Sequence, residues 1–321
     1  DLGAYADADL RLGPRWRIRG GGRAELLAYD VDDRLGNFTS SFQKASHLPG
    51  FRRTSQGVAA GPRLALEFKP ASDWALHLAY GEGFRSPQAR QLEEGETAIF
   101  AKVRSAEIGA RLAPRDGATV ALSAGLFGTT LSRDLVFDPG EGRLEHVGPT
   151  TRLGGVVDAQ LRPTSWLVAS ASLTLVHATL DAPPAATAEN PVPALAAGQL
   201  LPYVPPAVAR LDLSAQRALL VAASAPVRGK LGLSASWMSA RPLPYRASTP
   251  AVFVLDAAAG LRWRAFEFGV HASNLLGNRY AATAYSYVSD WQTQPVPSLL
   301  PATHVAAGPP RTVLATLTVS L

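Results

Sequence analysis

The residues that could carry out chemistry are few in this chain and lie far apart. Six histidines occur, and no two have the spacing of a metal-binding pair: His47, His77, His146, His177, His271 and His304. Glu93 and Glu94 lie in a predicted exposed loop, where solvation is expected rather than acid–base catalysis. The motifs G-x-S-x-G, H-E-x-x-H and the phosphate-binding Walker loop are absent. We therefore predict that the protein is not an enzyme and uses no metal or cofactor.

Composition and charge narrow the class of protein further. The 321 residues include 31 basic and 26 acidic side chains, spread along the chain, so nucleic-acid binding has little support. Cysteine is absent, which excludes disulfides and thiolate metal sites. The longest uncharged runs, 191–209 and 291–310, contain several prolines each and predict loops rather than spanning helices. The chain begins at Asp1 inside a predicted strand, so we expect a piece of a longer protein.

The elements that must position any binding group are β-strands. In RLALEFKPASDWALHLAYG, residues 63–81, apolar and polar residues alternate twice around the turn 69–73. The same alternation recurs along the chain and predicts about thirteen strands, most near the 9–11 residues that cross a bilayer. The glycine triplet 20–22 interrupts one of these strands and predicts a bulge or bend.

The predicted connections alternate between short turns and long loops. Short turns are expected at 13–14, 70–73, 114–117, 162–165 and 264–265. Long loops are expected at about 32–57, 83–100, 132–150, 180–206, 239–250 and 274–310. Outer-membrane barrels have this asymmetry, with short periplasmic turns and long extracellular loops. The stretch 218–227 breaks the rule, because it should be a short turn and is long.

Two further features decide which face of the strands meets water. Four aromatic residues near short turns occupy the alternate strand positions that are apolar, which we call the apolar parity: Trp16, Trp74, Trp263 and Phe266. This placement is typical of an aromatic girdle at one membrane interface. The other alternate positions, the polar parity, carry many charged side chains, which indicates a wide lumen filled with water. We therefore expect six leucines to face lipid: Leu64, Leu66, Leu211, Leu213, Leu255 and Leu317. Five charged residues are expected to face the lumen: Arg63, Glu67, Arg210, Asp212 and Asp256.

Two segments carry a resemblance to a known family. GEGFRSPQARQL, residues 81–92, and ASNLLGNRY, residues 272–280, resemble the TonB-dependent outer-membrane receptors. The resemblance covers residues 1–321 and implies the C-terminal part of a transmembrane antiparallel β-barrel, about thirteen of 22 strands. It also implies that the plug domain and the segment contacting TonB lie N-terminal to this chain.

The family resemblance implies a function and a location. Such receptors import a scarce nutrient, such as a ferric siderophore or cobalamin, across the outer membrane of a Gram-negative bacterium with TonB-supplied energy. The implied partners are outer-membrane lipid and lipopolysaccharide, the TonB complex and a small-molecule ligand. The residues after Pro87 lack the histidine found in haem-importing relatives. A passive porin-like channel and a soluble all-β binding module remain alternatives.

Ligand contact is expected on long loops or strand tops, because a receptor must present its binding groups above the lumen. The connection after Asn274 is rich in aromatic residues, so Tyr285, Tyr287 and Trp291 are candidates. Arg85, at another strand top, could pair with an anionic ligand. The alternative is that these aromatic rings pack the loop or belong to the outer girdle.

Overall fold

The computed structural model describes residues 2–34, 51–85, 100–112, 119–139, 143–185, 193–289 and 300–320, which form fifteen β-strands. The first eight are β1 (Leu2–Leu12), β2 (Trp16–Asp33), β3 (Phe51–Phe68), β4 (Trp74–Arg85), β5 (Ala101–Leu112), β6 (Val120–Asp138), β7 (Arg143–Thr164) and β8 (Leu167–Leu180). The others are β9 (Ala207–Ala222), β10 (Ala225–Met238), β11 (Val252–Trp263), β12 (Phe266–Ser273), β13 (Ala281–Ser289), β14 (Leu300–Ala307) and β15 (Thr312–Val319). In the described ranges, no helix is long and apolar enough to cross a membrane.

Thirteen of the strands form one antiparallel sheet whose order follows the sequence. Strands β1 to β11 each pair with the next strand, and β12 pairs with β15, so β1 and β15 lie at the two edges. Strands β13 and β14 form a separate hairpin inside the connection from β12 to β15. The prediction of about thirteen strands in an antiparallel membrane sheet is therefore confirmed.

The strand register gathers the apolar residues on one face. Directly opposed residues of an antiparallel pair share a face. One row therefore runs from β1 to β8: Leu10, Ile18, Leu66, Leu78, Ile108, Leu126, Gly155 and Leu175. Most of its side chains are exposed rather than buried in a core. A soluble sandwich would bury this surface, whereas a membrane barrel turns it toward lipid.

The opposite face carries ion pairs between strands. Arg17 donates to Asp9 at 3.0 Å, and Lys230 donates to Glu267 at 2.8 Å. His77 and Glu107 lie 2.9 Å apart on neighbouring strands. These pairs keep partly solvent-exposed charges matched across the polar face, as in a water-filled lumen.

The short-turn end carries the predicted aromatic girdle. The rings of Trp16 and Phe68 stack with centroids 4.2 Å apart across β2 and β3. Trp263 opposes Phe266 across the turn from β11 to β12. Amphipathic rings of this kind mark the level at which a barrel leaves the hydrocarbon.

Two predicted connections are wrong because strands continue past the membrane. The predicted loop 132–150 is mostly strand, since β6 runs to Asp138 and β7 starts at Arg143. The predicted loop 274–310 contains the β13–β14 hairpin. Strands that leave the bilayer can keep their ladder of hydrogen bonds, and alternation weakens there because both faces meet water.

Two local predictions are also corrected. The stretch 218–227 is not a long connection, because β9 and β10 extend to a two-residue turn at Ala223 and Ser224 with φ of 47° and 62°. The glycine triplet 20–22 forms no bulge, since β2 keeps unbroken register with both β1 and β3. A Cβ on Gly21 would lie 2.5 Å from the carbonyl oxygen of Ala6, so close backbone approach explains that glycine.

Candidate functional site

A small core of buried apolar residues lies on the polar face of the sheet, at its long-loop end. Val147, Leu180 and Leu201 are buried together with Val136 and Ala178. The backbone of residues 193–206 folds over β8, where the Leu201 N–H donates to the Ala178 carbonyl at 2.8 Å. Because Ala178 and Leu180 share the polar parity of β8, this loop lies on the lumen side of the strands.

Several connections are hydrogen-bonded to one another at this end. The Tyr203 N–H donates to the Pro242 carbonyl, and the Tyr245 N–H donates to the Ala194 carbonyl, each at 2.8 Å. The Arg241 guanidinium also reaches the Ala281 carbonyl at 3.4 Å. The loops before β9 and before β11 and the start of β13 are therefore hydrogen-bonded to one another.

Aromatic rings fill the junction of these loops, and we call Phe137, Tyr203, Tyr245, Tyr285 and Tyr287 the mouth cluster. Tyr285 lies edge-on to Phe137 and to Tyr203, with centroids 5.8 and 5.6 Å away. Tyr287 stacks on His304 of β14 at 4.2 Å. The structure thus places two of the predicted ligand residues where they pack other loops.

The mouth cluster borders a cavity of about 160 Å³. The residues that line it include Tyr245, Tyr287, Phe137, Asp138 and Glu145. A volume of this size holds roughly one six-membered ring. The cavity therefore has room for one flat group of a ligand.

Burial changes the acidity of two phenols at the mouth. The pKa of Tyr203 is raised far above its usual range, mainly because the phenol is buried and to a smaller extent because the Asp138 carboxylate is near. The same two causes raise the pKa of Tyr245. Tyr245 and Arg246 also hold positive φ values of 59° and 57°, which is costly for residues with side chains. Both phenols stay protonated at neutral pH and can act as hydrogen-bond donors.

The third predicted residue, Arg85, ends β4 beside a buried carboxylate. Asp134 of β6 is 3 % exposed and accepts hydrogen bonds from Thr150 at 2.9 Å and from Arg152. Arg85 lies 3.9 Å from the same carboxylate and keeps 43 % of its side chain exposed. Among these three side chains, two guanidinium groups face one carboxylate, and Arg85 is the one that stays exposed.

The segment that resembles the receptor family is a structural anchor. Asn274 is 2 % exposed with φ of 49°. Its side-chain amide donates to the carbonyls of Asn278 and Pro309 at 2.9 and 3.1 Å, and its side-chain oxygen accepts from the Asn278 N–H. The Asn278 amide in turn donates to the Phe253 carbonyl at 2.9 Å. Asn274 therefore ties the two ends of the connection between β12 and β15 together.

The structure brings only part of the predicted site together. Tyr285 and Tyr287 lie in the mouth cluster, and Arg85 lies beside β6, whose end supplies Phe137. Trp291 lies outside the described residues. Sequence reasoning missed Tyr203 and Tyr245, which lie in loops where no alternation signals burial. Within the described part of the chain, no group of three metal-ligating side chains occurs.

The fold defines a class of protein: a transmembrane β-barrel with short turns at one end and, among the described residues, longer connections that contact one another at the other end. The sequence profile described as TonB dependent receptor-like, beta-barrel matches residues 1–275, and the chain belongs to that family. Barrels of this family are outer-membrane proteins of Gram-negative bacteria that act in transport rather than catalysis.

Solved structures of siderophore receptors share this fold. The ferric yersiniabactin uptake receptor FyuA from Yersinia pestis is 16 % identical, with a TM-score of 0.72 over 99 % of this chain and 45 % of that chain. The siderophore receptor PiuA from Acinetobacter baumannii is 17 % identical, with a TM-score of 0.71 over 98 % and 42 %. The ferric-catecholate import receptor Fiu from E. coli K12 is 18 % identical, with a TM-score of 0.68 over 99 % and 44 %.

The chain thus spans less than half the length of the structures it matches. At these identities the likeness shows the fold alone. No curated protein sequence matches the chain significantly.

Proposed function

We propose that this barrel is the membrane domain of an active importer that takes up a scarce nutrient, such as a ferric siderophore or cobalamin, with energy supplied through TonB. The protein lies in the outer membrane of a Gram-negative bacterium, among lipid and lipopolysaccharide. The plug domain and the segment that contacts TonB belong to a region N-terminal to residues 1–321.

Two observations together support the proposal: the match to the receptor family and the mouth cluster at the long-loop end. The family match spans residues 1–275, and the connections that the structure describes at the long-loop end meet in a cluster of packed aromatic rings. Among the described residues, the buried Tyr203 hydroxyl of the mouth cluster has no hydrogen-bond partner, so its donor is unused.

Within this proposal, ligand contact involves Tyr285, Tyr287, Trp291 and Arg85. The aromatic residues supply flat apolar surface, and Arg85 supplies a partly exposed positive charge for an anionic ligand. Because Tyr285 and Tyr287 also pack neighbouring loops, their roles in binding and in shaping the mouth must be separated experimentally.

The test is uptake of labelled ferric siderophores and cobalamin by cells that carry the full-length protein. Replacing Tyr285, Tyr287 and Trp291 together with alanine should weaken apparent affinity for the transported ligand by about tenfold or more, with barrel assembly intact. The matched control, Y285F with Y287F, keeps the ring packing and should retain assembly and most of the uptake. Parental affinity in the assembled alanine variant would place binding elsewhere.

A second arm tests energy coupling. Uptake should stop in cells that lack TonB. Uptake that continues unchanged without TonB, and rises linearly with ligand concentration, would instead indicate the porin-like channel.

A further inference from the structure

We propose that the outer rim at the short-turn end binds the headgroup of an anionic phospholipid through Arg217 and Trp166. The inference rests on the proposed placement of the sheet in a bilayer but not on which ligand is imported. It concerns the opposite end of the barrel from the mouth cluster.

The first observation is the position of Arg217 on the lipid-facing side. Arg217 opposes Gly229 of β10, which opposes Leu261 of β11, and Leu261 opposes Phe268 of β12. These residues therefore share one face. Arg217 also follows Leu213 with the same parity on β9 and is exposed. A guanidinium on this face must reach the polar headgroups, because hydrocarbon offers it no partner.

The second observation is the depth of Arg217. It lies four residues from Leu213 toward the turn, and the girdle residue Trp263 occupies the row beyond, opposite Val227. Four residues along a tilted strand correspond to roughly 10 Å along the membrane normal. The guanidinium at the end of its flexible stem can therefore extend into the interfacial layer.

The third observation is the surrounding surface. The Arg217 guanidinium lies 5.9 Å from the centroid of the Trp166 ring. The backbone of Trp166 is fixed beside β9, because its carbonyl accepts a hydrogen bond from the Gln216 N–H at 2.8 Å. At the bulge in β9, the exposed Leu219 lies over Gly229, where an added Cβ would approach it to 2.7 Å. The cation is thus framed by an indole and apolar side chains.

No carboxylate among the described residues lies within ion-pair distance of Arg217, in contrast to the paired cations Arg17, Arg63 and Arg210 on the polar face. The chemistry that matches an outward cation beside an indole at this depth is a lipid phosphate. An anionic headgroup supplies the charge for the guanidinium, and the acyl chains cover Leu219. A lipid with net negative charge should therefore be preferred over a zwitterionic one.

The experiment measures lipid retention by native mass spectrometry of the purified full-length protein in detergent with phosphatidylglycerol or phosphatidylcholine. Heat-modifiable gel migration first establishes that each variant forms a barrel. The parental protein should retain phosphatidylglycerol preferentially. R217L should lose about fivefold of that preference, which corresponds to the attraction of about 1 kcal/mol for one basic residue at an anionic surface.

R217L removes the charge without harming the lipid-facing surface, so it should assemble normally. The matched control is R228L, because Arg228 lies one strand away on the opposite face. R228L should keep the parental preference, and R217K should keep part of it. Equal preference in R217L and the parental protein, or an equal loss in R228L, would overturn the proposal. Failure of the parental protein itself to form a heat-modifiable barrel would overturn the membrane placement on which the proposal rests.

Discussion

Arginine in place of Leu213 tests the assignment of the two faces most directly. Leu213 opposes Leu233 of β10, six residues along the strand from Val227, which opposes the girdle residue Trp263. At about 3.4 Å per residue and a strand tilt near 40°, this distance is roughly 16 Å along the membrane normal. The apolar band of such barrels is about 25 Å tall, so Leu213 lies close to its middle.

A charge at that depth on the lipid-facing side should destabilise the barrel by about 2–4 kcal/mol. The neighbouring residue Ser214 faces the lumen and opposes Gly232, whose missing side chain leaves room for a longer one. S214R should therefore cost less than about 1 kcal/mol. The third variant, L213A, separates the loss of apolar surface from the cost of the charge and should fall between the two.

The assay is equilibrium unfolding in guanidinium chloride of the full-length protein refolded into lipid vesicles, followed by tryptophan fluorescence. The expected order of stability is parental, then S214R, then L213A, then L213R. If S214R proves as harmful as L213R, or if L213R is neutral, the reasoning about faces is wrong and the apolar side does not meet lipid.

Three further predictions concern the long-loop end. D134A should destabilise the protein by about 3 kcal/mol in thermal unfolding, because it leaves buried cationic and hydroxyl partners unpaired; D134N, which keeps the hydrogen bond from Thr150, should cost less. N274A should be less stable than N274G by about 1 kcal/mol, since both lose the anchoring amide but only glycine tolerates the positive φ; equal melting temperatures would refute this explanation. Because the raised pKa values of Tyr203 and Tyr245 favour the protonated folded state, their stabilising contribution is present below the ordinary phenol pKa and lost as pH rises through the folded values; absorbance titration should show both ionising after the exposed tyrosines, and early ionisation would contradict their burial.

Alternation predicted the membrane part of this fold well because one physical rule acts on every spanning strand. Between the girdle and the loops, each residue meets either lipid or the lumen, so Leu66, Leu78 and Ile108 could be assigned to one face from sequence alone. The rule stops where a strand leaves the bilayer. That is why the continuation of β6 toward Asp138 was predicted as loop.

The mouth was harder to predict because its contacts join residues distant in sequence. Tyr285 was proposed from local aromatic content, but its neighbours Phe137 and Tyr203 come from other connections, and no periodicity links them. The bulge at Leu219 could not be predicted for a similar reason, because an extra residue in one strand is recognised only when the pairing with its partner strand is known.

The Asn274 anchor has a consequence for how the sheet can assemble. At the short-turn end, the described turns between neighbouring strands have only a few residues, whereas β12 reaches β15 at the long-loop end only after residues 274–311. Closing a loop roughly ten times longer than a tight turn costs about 2 kcal/mol more in chain entropy.

The hydrogen bond from Asn274 to Pro309 joins the chain just after β12 to the chain just before β15, and the β13–β14 hairpin takes up most of the intervening length. Once that link forms, pairing β15 with β12 is entropically similar to closing an ordinary hairpin. A single buried amide thus holds β15 beside β12 in the folded sheet, where β15 covers the edge that β12 would otherwise expose.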